Sequence, residues 1–221
     1  MRKINLLSTH PNTYRNVYLR KKNKKKNSIL AAKFAKDYFD GDRRTGYGGY
    51  YYDGRWINTA KSIIKSYKLK KNSKILDVGC AKGFLMYDLL KVSKNKIKVY
   101  GVDISSYAKS KAMPEVRKKI KICNCNKLPF KDNFFDLVIS INTIHNLKKN
   151  DCKKAIKEIN RVSKGKAFIQ VDSYLDKKNL KNFLNWMLTA KTFLTPKNWK
   201  KFFIEAGYKG DYYLTILKNN K

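Results

Sequence analysis

The stretch Ile75-Leu76-Asp77-Val78-Gly79-Cys80-Ala81-Lys82-Gly83 decides the fold that we predict for this chain of 221 residues. It begins as a short apolar run typical of a buried strand, and its glycines form a turn into a helix. A glycine turn between a strand and a helix is where a doubly wound α/β fold meets its cofactor. The stretch therefore predicts such a fold, with a nucleotide-type ligand at the turn.

Strands and helices alternate around this turn. The predicted strands are Lys74–Val78, Lys98–Val102, Ile120–Cys123, Phe135–Ile141, Lys166–Val171 and Tyr212–Leu217. The predicted helices are Ile29–Phe39, Ile57–Tyr67, Gly83–Val92, Ser106–Met113, Asp151–Val162, Lys177–Thr189 and Pro196–Gly207. This order predicts an α/β, Rossmann-like doubly wound, mostly parallel sheet with helices on both faces. Because the last strand stands alone, we expect six or seven strands.

Two acidic residues distinguish between the classes of cofactor that such a turn can bind. A dinucleotide site would read G-x-G-x-x-G, but Ala81 and Phe84 replace two of its glycines, and Asp77 would repel phosphates. That carboxylate suits a cationic ligand, such as the ammonium of an amino-acid-bearing cofactor. Asp103 ends the second strand, where a carboxylate accepts both ribose hydroxyls and Ile104 covers an adenine. Asp103 alone could equally cap a helix, but in register with Asp77 and the glycines it favours a binding site.

These residues resemble the first two motifs of the class I S-adenosylmethionine-dependent methyltransferases. Within that class they are similar to the methyltransferases of type 11. Leu128–Val138 resembles the stretch that leads into the fourth strand of that superfamily, and the likeness covers roughly residues 47–217. The resemblance implies S-adenosylmethionine as cofactor, held by Asp77, Gly79, Cys80, Ala81, Gly83, Asp103, Ile104, Asn124, Cys125 and Asn142. Cys123-Asn124-Cys125 departs from the usual Gly-Asp-Ala-like turn, although the Asn124 carbonyl can still accept from the adenine amino group.

Three further segments resemble a subgroup of these enzymes that is often encoded with surface-polysaccharide genes. They are Tyr47–Trp56, Ile141–Asn146 and Thr195–Tyr212. The likeness implies a small-molecule acceptor, such as a hydroxyl of a sugar or a sugar-linked metabolite. The motifs specify the cofactor and leave the acceptor open.

Methyl transfer to a hydroxyl needs a group that takes the proton. His145 follows the fourth strand and is a candidate base, although a lone histidine is as often structural, and His10 has no evident role. Arg55 can clamp an acidic group or brace a loop. The other substrate or lid candidates, each with core or loop packing as the alternative, are Tyr47, Tyr50, Tyr52, Asp172 and Trp186.

The formal net charge of +35 points to a polyanionic partner. The excess comes from 43 Lys against eight Arg, beside 21 Asn, a composition typical of an A/T-biased genome. Bidentate phosphate binding would favour Arg. We therefore expect a solvated lysine coat and keep an RNA or protein methyltransferase as the alternative, with nucleic acid the less favoured partner.

The chain is expected to divide into a basic extension, 1–45, which forms a lid with one helix, and a methyltransferase domain, 46–221. The charged run Arg20–Lys26 is expected to be disordered or fraying. Four cysteines, no secretory segment and no apolar stretch of about 20 residues favour a cytoplasmic protein without a membrane span. The cysteine spacing predicts no metal site, and nothing indicates an oligomeric state.

Overall fold

The core of the protein is a single sheet of six strands. A computed structural model describes residues 1–11 and 16–216, and in it every neighbouring pair of strands is parallel, in the order β3-β2-β1-β4-β5-β6. The strands are β1 (Lys74–Val78), β2 (Lys98–Asp103), β3 (Ile120–Ile122), β4 (Leu137–Ile141), β5 (Ala167–Ser173) and β6 (Asp211–Ile216). The predicted fold class is confirmed, with six strands in the described residues.

Helices cover both faces of the sheet. They are α1 (Val17–Lys21), α2 (Lys24–Ala31), α3 (Lys36–Phe39), α4 (Ile57–Tyr67), α5 (Phe84–Val92), α6 (Ser106–Ser110), α7 (Pro114–Arg117), α8 (Lys149–Val162), α9 (Lys177–Trp186) and α10 (Pro196–Glu205), with a 3₁₀ turn at Ile144–Asn146. Within the described residues, none of them has both the length and the apolar character that crossing a bilayer requires.

Alternation along the strands divides the core in two. On β1, Leu76 and Val78 pack with residues of α8 and α10, whereas Ile75 packs with residues of α4 and α5. Because both faces are covered, the strands consist of nearly continuous apolar residues. Asp77 points to the α4/α5 side and is the exception within β1, so its position in a buried strand calls for a functional reason.

The N-terminal segment extends the sheet at its outer edge. The Ile4 amide donates to the Tyr212 carbonyl (3.0 Å), and the Tyr212 amide donates to the Arg2 carbonyl (2.9 Å). Arg2 also forms an ion pair with Asp211 (2.7 Å). Leu6 is 2% exposed in the core on the α4/α5 side. Residues 2–6 therefore cover the β6 edge, which would otherwise present unpaired backbone groups.

The expectation that Arg20–Lys26 is disordered is wrong, because α1 and α2 cover most of the run. The Arg20 guanidinium donates to the Trp186 carbonyl (3.2 Å), and Lys24 Nζ donates to the Asn185 carbonyl (2.9 Å). Both carbonyls lie at the end of α9, where cations are stabilised by the helix dipole. Composition alone could not reveal these acceptors, since they are distant in sequence.

Several predicted elements have bounds that differ from those expected. The helix predicted over 29–39 is α2 and α3, interrupted at Phe34, whose φ is +48°. The helix after β2 ends at Ser110 and the helix after β5 at Trp186, while β4 begins at Leu137. The predicted final strand ends at Ile216, and Leu217 lies outside the described residues. The division at residue 45 and the lid role stay predictions, although the described residues of the extension contain three helices instead of one.

Candidate cofactor and acceptor site

The turn after β1 requires glycine at two positions. Gly79 has φ +82°, and a Cβ there would lie 2.0 Å from Thr143 Oγ1. Gly83 has φ +73°, and a Cβ there would lie 2.7 Å from Val116 Cγ2. Ala81, between them, also adopts a left-handed conformation, at φ +49°. The backbone of this turn is therefore tightly constrained, and it presents a narrow cradle at the carboxyl end of β1.

Asp103 joins the turn to the end of β2. Its Oδ2 accepts the Ala81 amide (2.7 Å), and its Oδ1 accepts the Ser105 amide (2.8 Å). Each carboxylate oxygen can accept a second hydrogen bond. Asp103 thus holds the turn in shape and remains able to accept from a ribose. The neighbouring Ile104 side chain is 55% exposed, as a surface that receives a ring would be.

Asp77 is a buried carboxyl group with 5% exposure. Burial, and secondarily the Asp103 charge, raise the pKa of Asp77 to about 7. A carboxylate in such surroundings is costly unless a cation neutralises it. The carboxyl group therefore fits a ligand that brings a positive charge to the β1 turn.

A cavity of about 1000 Å³ opens at the carboxyl ends of β1, β4, β5 and β6. Parallel α/β sheets bind ligands at this edge. The structure brings many of the predicted residues together here; those that border the cavity are Tyr47, Tyr50, Arg55, Asp77, Gly79, Cys80, Ala81, Asn142, His145, Asp172 and Trp186. Asn142 is strained, with φ +53°, which is common at functional sites.

The remaining predicted residues lie outside this cavity. They are Tyr52, Gly83, Asp103, Ile104, Asn124 and Cys125. Asn124 is exposed and accepts the Asn126 amide (3.2 Å), whereas Cys125 is buried in the core. Tyr52 donates to Asp88 Oδ1 (2.6 Å) and so holds its loop against α5. The residues predicted for the adenosine half thus sit beside the cavity, at the β2 and β3 ends, and their cofactor roles stay predictions.

Lys82 is a site residue that sequence reasoning missed. Its ammonium is buried and donates to both Asp40 oxygens (2.6 and 2.7 Å) and to the Tyr50 carbonyl (2.6 Å). Asp40 also accepts from Tyr107 (2.8 Å) and from the Tyr50 amide (3.1 Å). These bonds attach α3 and the glycine-rich segment to the cofactor turn. No sequence signal pairs Lys82 with Asp40, because 42 residues separate them.

The glycine- and tyrosine-rich segment, Tyr47–Trp56, packs over the turn. The Tyr50 ring lies 4.5 Å from the Tyr47 ring and 4.8 Å from the Phe84 ring, between centroids. The same tyrosines border the cavity. The two interpretations of the segment, as a packed loop and as a ligand wall, are therefore compatible.

His145 lies in the 3₁₀ turn after β4 and is 2% exposed. Its Nδ1 accepts the Asp172 amide (3.2 Å), and burial lowers the pKa of His145. A neutral imidazole whose Nδ1 accepts carries its hydrogen on Nε2. In this arrangement His145 can donate a hydrogen bond from Nε2 to a ligand in the cavity. The predicted base role would instead need a ring nitrogen that is free to accept a proton.

The first eleven residues also contribute to the site, although no sequence signal predicts this. Asn5, Leu7 and His10 border the cavity, and the His10 ring lies 4.3 Å from the Trp56 ring. The polar residues of this N-terminal segment have no periodic pattern, so no sequence motif predicts the contact between His10 and Trp56.

Comparison with known proteins agrees with this geometry. Residues 76–169 match the family model described as a methyltransferase domain. These residues are similar to methyltransferase domains. The match spans β1 to β5 and contains the glycine turn, Asp77 and Asp103. The cofactor that a class I methyltransferase domain implies is S-adenosylmethionine, and the buried Asp77 and the glycine cradle fit it.

Some individual relatives are similar to this chain over a longer stretch than the family model. An uncharacterized protein of Methanocaldococcus jannaschii is 34% identical over 153 residues, covering 66% of this chain and 60% of its own length. An uncharacterized methyltransferase of Schizosaccharomyces pombe is 34% identical over 127 residues, covering 52% and 44%. The chain spans 41–62% of the length of the curated relatives that it matches. Outside the methyltransferase domain, these relatives therefore say little about it.

A solved structure shares the fold. The YcgJ protein of Bacillus subtilis aligns with a TM-score of 0.55 at 18% identity, covering 66% of each chain. At that identity the likeness concerns the arrangement of strands and helices alone. It supports the Rossmann-like topology on which the site is built.

Proposed function

We propose that the protein transfers a methyl group from S-adenosylmethionine to a hydroxyl of a sugar or sugar-linked metabolite. The observation that carries the proposal is a single cavity that joins the β1 turn to the ends of β4, β5 and β6. A methyl donor held at the turn and an acceptor held over β4 and β5 would therefore meet in one enclosed space.

The chain's own residues would hold the two reactants in line. S-adenosylmethionine supplies an electrophilic methyl group on a sulfonium. Asp77 would bind the positive charge of the amino-acid moiety, and Asp103 the ribose hydroxyls. Tyr47 and Tyr50 would exclude water above the turn, which prevents competing reactions. The reaction then depends mainly on alignment, as expected for an in-line displacement.

A group in the site must take the proton that the acceptor hydroxyl loses. The sequence-based proposal assigns this to His145, while the hydrogen bond from the Asp172 amide to Nδ1 favours a donor role. We propose that His145 orients the acceptor oxygen by donating from Nε2, and that the Asp172 carboxylate, which borders the same cavity, takes the proton. Both side chains are buried, as proton-handling groups in a closed site are.

Two measurements test the proposed function. Calorimetric titration should show S-adenosylmethionine binding that Asp103→Ala abolishes and the exposed-site control Glu205→Ala leaves intact. Labelled cofactor should then transfer its methyl group to nucleotide-linked sugars in preference to bulk RNA. Unchanged affinity in Asp103→Ala would refute the cofactor assignment, and transfer only to RNA would refute the acceptor.

One observation favours RNA as the second candidate. Arg20 borders the cavity, and the exposed Lys21 and Lys22 follow it at the end of α1. Part of the basic run is therefore adjacent in sequence to a residue that borders the cavity. If RNA is the acceptor, activity on RNA should fall steeply between 50 and 200 mM salt, on the order of a thousandfold for a multi-phosphate contact. Salt-insensitive turnover would exclude this candidate.

A further inference from the structure

The half of the cavity under the N-terminal segment has features that methyl-donor binding does not use. The segment is anchored at one end by the Ile4–Tyr212 hydrogen bond and at the other by the His10–Trp56 ring contact. Between these anchors, Leu6 is buried in the core. Residues 3–10 are therefore a fixed wall of the cavity.

Gln170 lies in this half of the cavity, on β5. Its side chain is 1% exposed, and its Nε2 donates to Thr215 Oγ1 (2.5 Å). Its Oε1 is buried and has no hydrogen-bond partner among the residues that the structure describes. A buried carbonyl oxygen without a donor has lost its hydration without a replacement. Gln170 borders the cavity, so a ligand that brings a hydroxyl or amino donor would supply the missing partner.

His10 repeats the pattern among the residues that border the cavity. Its Nδ1 is buried and likewise lacks a hydrogen-bond partner in the described part of the chain. Two unpaired polar atoms on residues that border one cavity indicate a ligand with several hydrogen-bonding groups. A polyhydroxylated molecule has that character.

Charge around the cavity indicates the ligand's sign. The charged side chains that border it are the cations Lys3, Arg20, Arg43 and Arg55 and the carboxylates Asp77 and Asp172. Asp77 would be matched by the cofactor's own positive charge. Even with Asp53 paired to Arg55, cations outnumber carboxylates around the cavity, which suits a ligand with an anionic group.

Arg55 has a donor available for such a group. Its Nε and Nη2 donate to Asp53 (2.6–2.9 Å), whereas Nη1 has no hydrogen bond to any described residue. Its side chain is 34% exposed, so it is only partly screened by water. A phosphate or carboxylate is the group that a guanidinium binds best.

We propose that the methyl acceptor is a phosphorylated or otherwise anionic polyol bound under residues 3–10, with Gln170 accepting a hydrogen bond from one of its hydroxyls and Arg55 binding its anionic group. Gln170 is then a specificity-determining residue, because an acceptor without a donor at that position leaves its carbonyl unpaired. The inference rests on the proposed function and names its acceptor class.

Binding to protein saturated with S-adenosylhomocysteine tests the acceptor class without turnover. The probes are glucose 1-phosphate, glucose and inorganic phosphate, measured by calorimetry. We expect glucose 1-phosphate to bind at least tenfold more tightly than either other probe. Equal affinity for glucose would overturn the charge assignment, and equal affinity for inorganic phosphate would overturn the role of the hydroxyls.

Paired variants test the two residues. Arg55→Gln should abolish the advantage of glucose 1-phosphate over glucose, while Arg44→Gln, which breaks a similar i, i+2 pair with Asp42 away from the cavity, should retain it. Gln170→Leu should weaken glucose 1-phosphate binding about tenfold. The control Ser140→Ala, which removes a buried hydroxyl that also lacks a partner in the described residues but lies outside the cavity lining, should not.

A second variant keeps the role of Gln170 testable if the first variant does not fold. If Gln170→Leu fails to fold, Thr215→Val removes the hydroxyl that orients the Gln170 amide and should weaken the same probe several-fold. Normal affinity in both Gln170→Leu and Thr215→Val would overturn the specificity role. Intact S-adenosylhomocysteine binding without binding of glucose 1-phosphate would overturn this inference alone. Loss of S-adenosylhomocysteine binding in the unmodified protein would instead overturn the proposed function.

Discussion

Replacing Asp77 by Asn should stabilise the ligand-free protein while weakening cofactor binding. Burial raises the pKa of Asp77 from its usual 3.8 to about 7. Each pKa unit corresponds to about 1.4 kcal/mol, so keeping this carboxylate ionised in the folded state costs up to about 4 kcal/mol. Asn has nearly the same shape and no charge to desolvate.

The sign and pH range of the effect follow from the direction of the pKa shift. The folded protein binds the Asp77 proton more tightly than the unfolded chain, so the cost is absent below pH 3.8 and grows as the pH rises towards about 7. Between pH 5 and pH 8 the stability advantage of Asp77→Asn should widen by roughly 2–3 kcal/mol. The change in this gap isolates ionisation from differences in packing, which do not depend on pH.

Urea unfolding at pH 5, 6.5 and 8 measures the gap, with Asp132→Asn, at a carboxylate that is 69% exposed, as the control. The control should follow the parent protein. S-adenosylmethionine affinity of the parent should rise with pH up to about 7, as the carboxyl group loses its proton, and Asp77→Asn should bind about 10–100-fold more weakly at pH 8. A gap that stays constant from pH 5 to pH 8 would refute the argument, and so would cofactor affinity equal to that of the parent.

Three other predictions concern the lid, the proton and the N-terminal segment. Lys82→Met should detach α3 and the glycine-rich segment from the turn, which faster amide exchange over residues 36–52 would reveal; unchanged protection there would contradict it. His145→Gln should retain most of the turnover and His145→Ala should lose it, since Gln can still donate a hydrogen bond; equal loss in both variants would instead support the base role. Leu6→Ala should cost about 2–5 kcal/mol in urea unfolding, because Leu6 is buried in the core, and a cost below about 0.5 kcal/mol would show that the segment does not pack there.

Much of the fold could be predicted because its signals are local. The β1 run, the glycine turn and α5 are adjacent in sequence, and each reflects a short-range rule about hydrophobic periodicity or backbone conformation. Helix α4, at Ile57–Tyr67, has the predicted bounds, because its apolar face repeats at helical spacing. The predicted ends of several other helices moved by a few residues, as at Phe34, where a left-handed residue in a regular pattern could not be foreseen.

The sequence by itself determined the fold class and the position of the cofactor turn, because Asp77, Gly79, Gly83 and Asp103 act through the strand ends on which they lie. Only the tertiary structure decided which of the predicted residues share the cavity. It placed His10 and Gln170 there, made His145 Nδ1 accept the Asp172 amide, and used Lys82 to attach α3 and the glycine-rich segment to the turn. His10 and Gln170, which border the same cavity, are 160 positions apart in the chain. Such pairings depend on the chain path around the sheet and leave no periodic trace in the sequence.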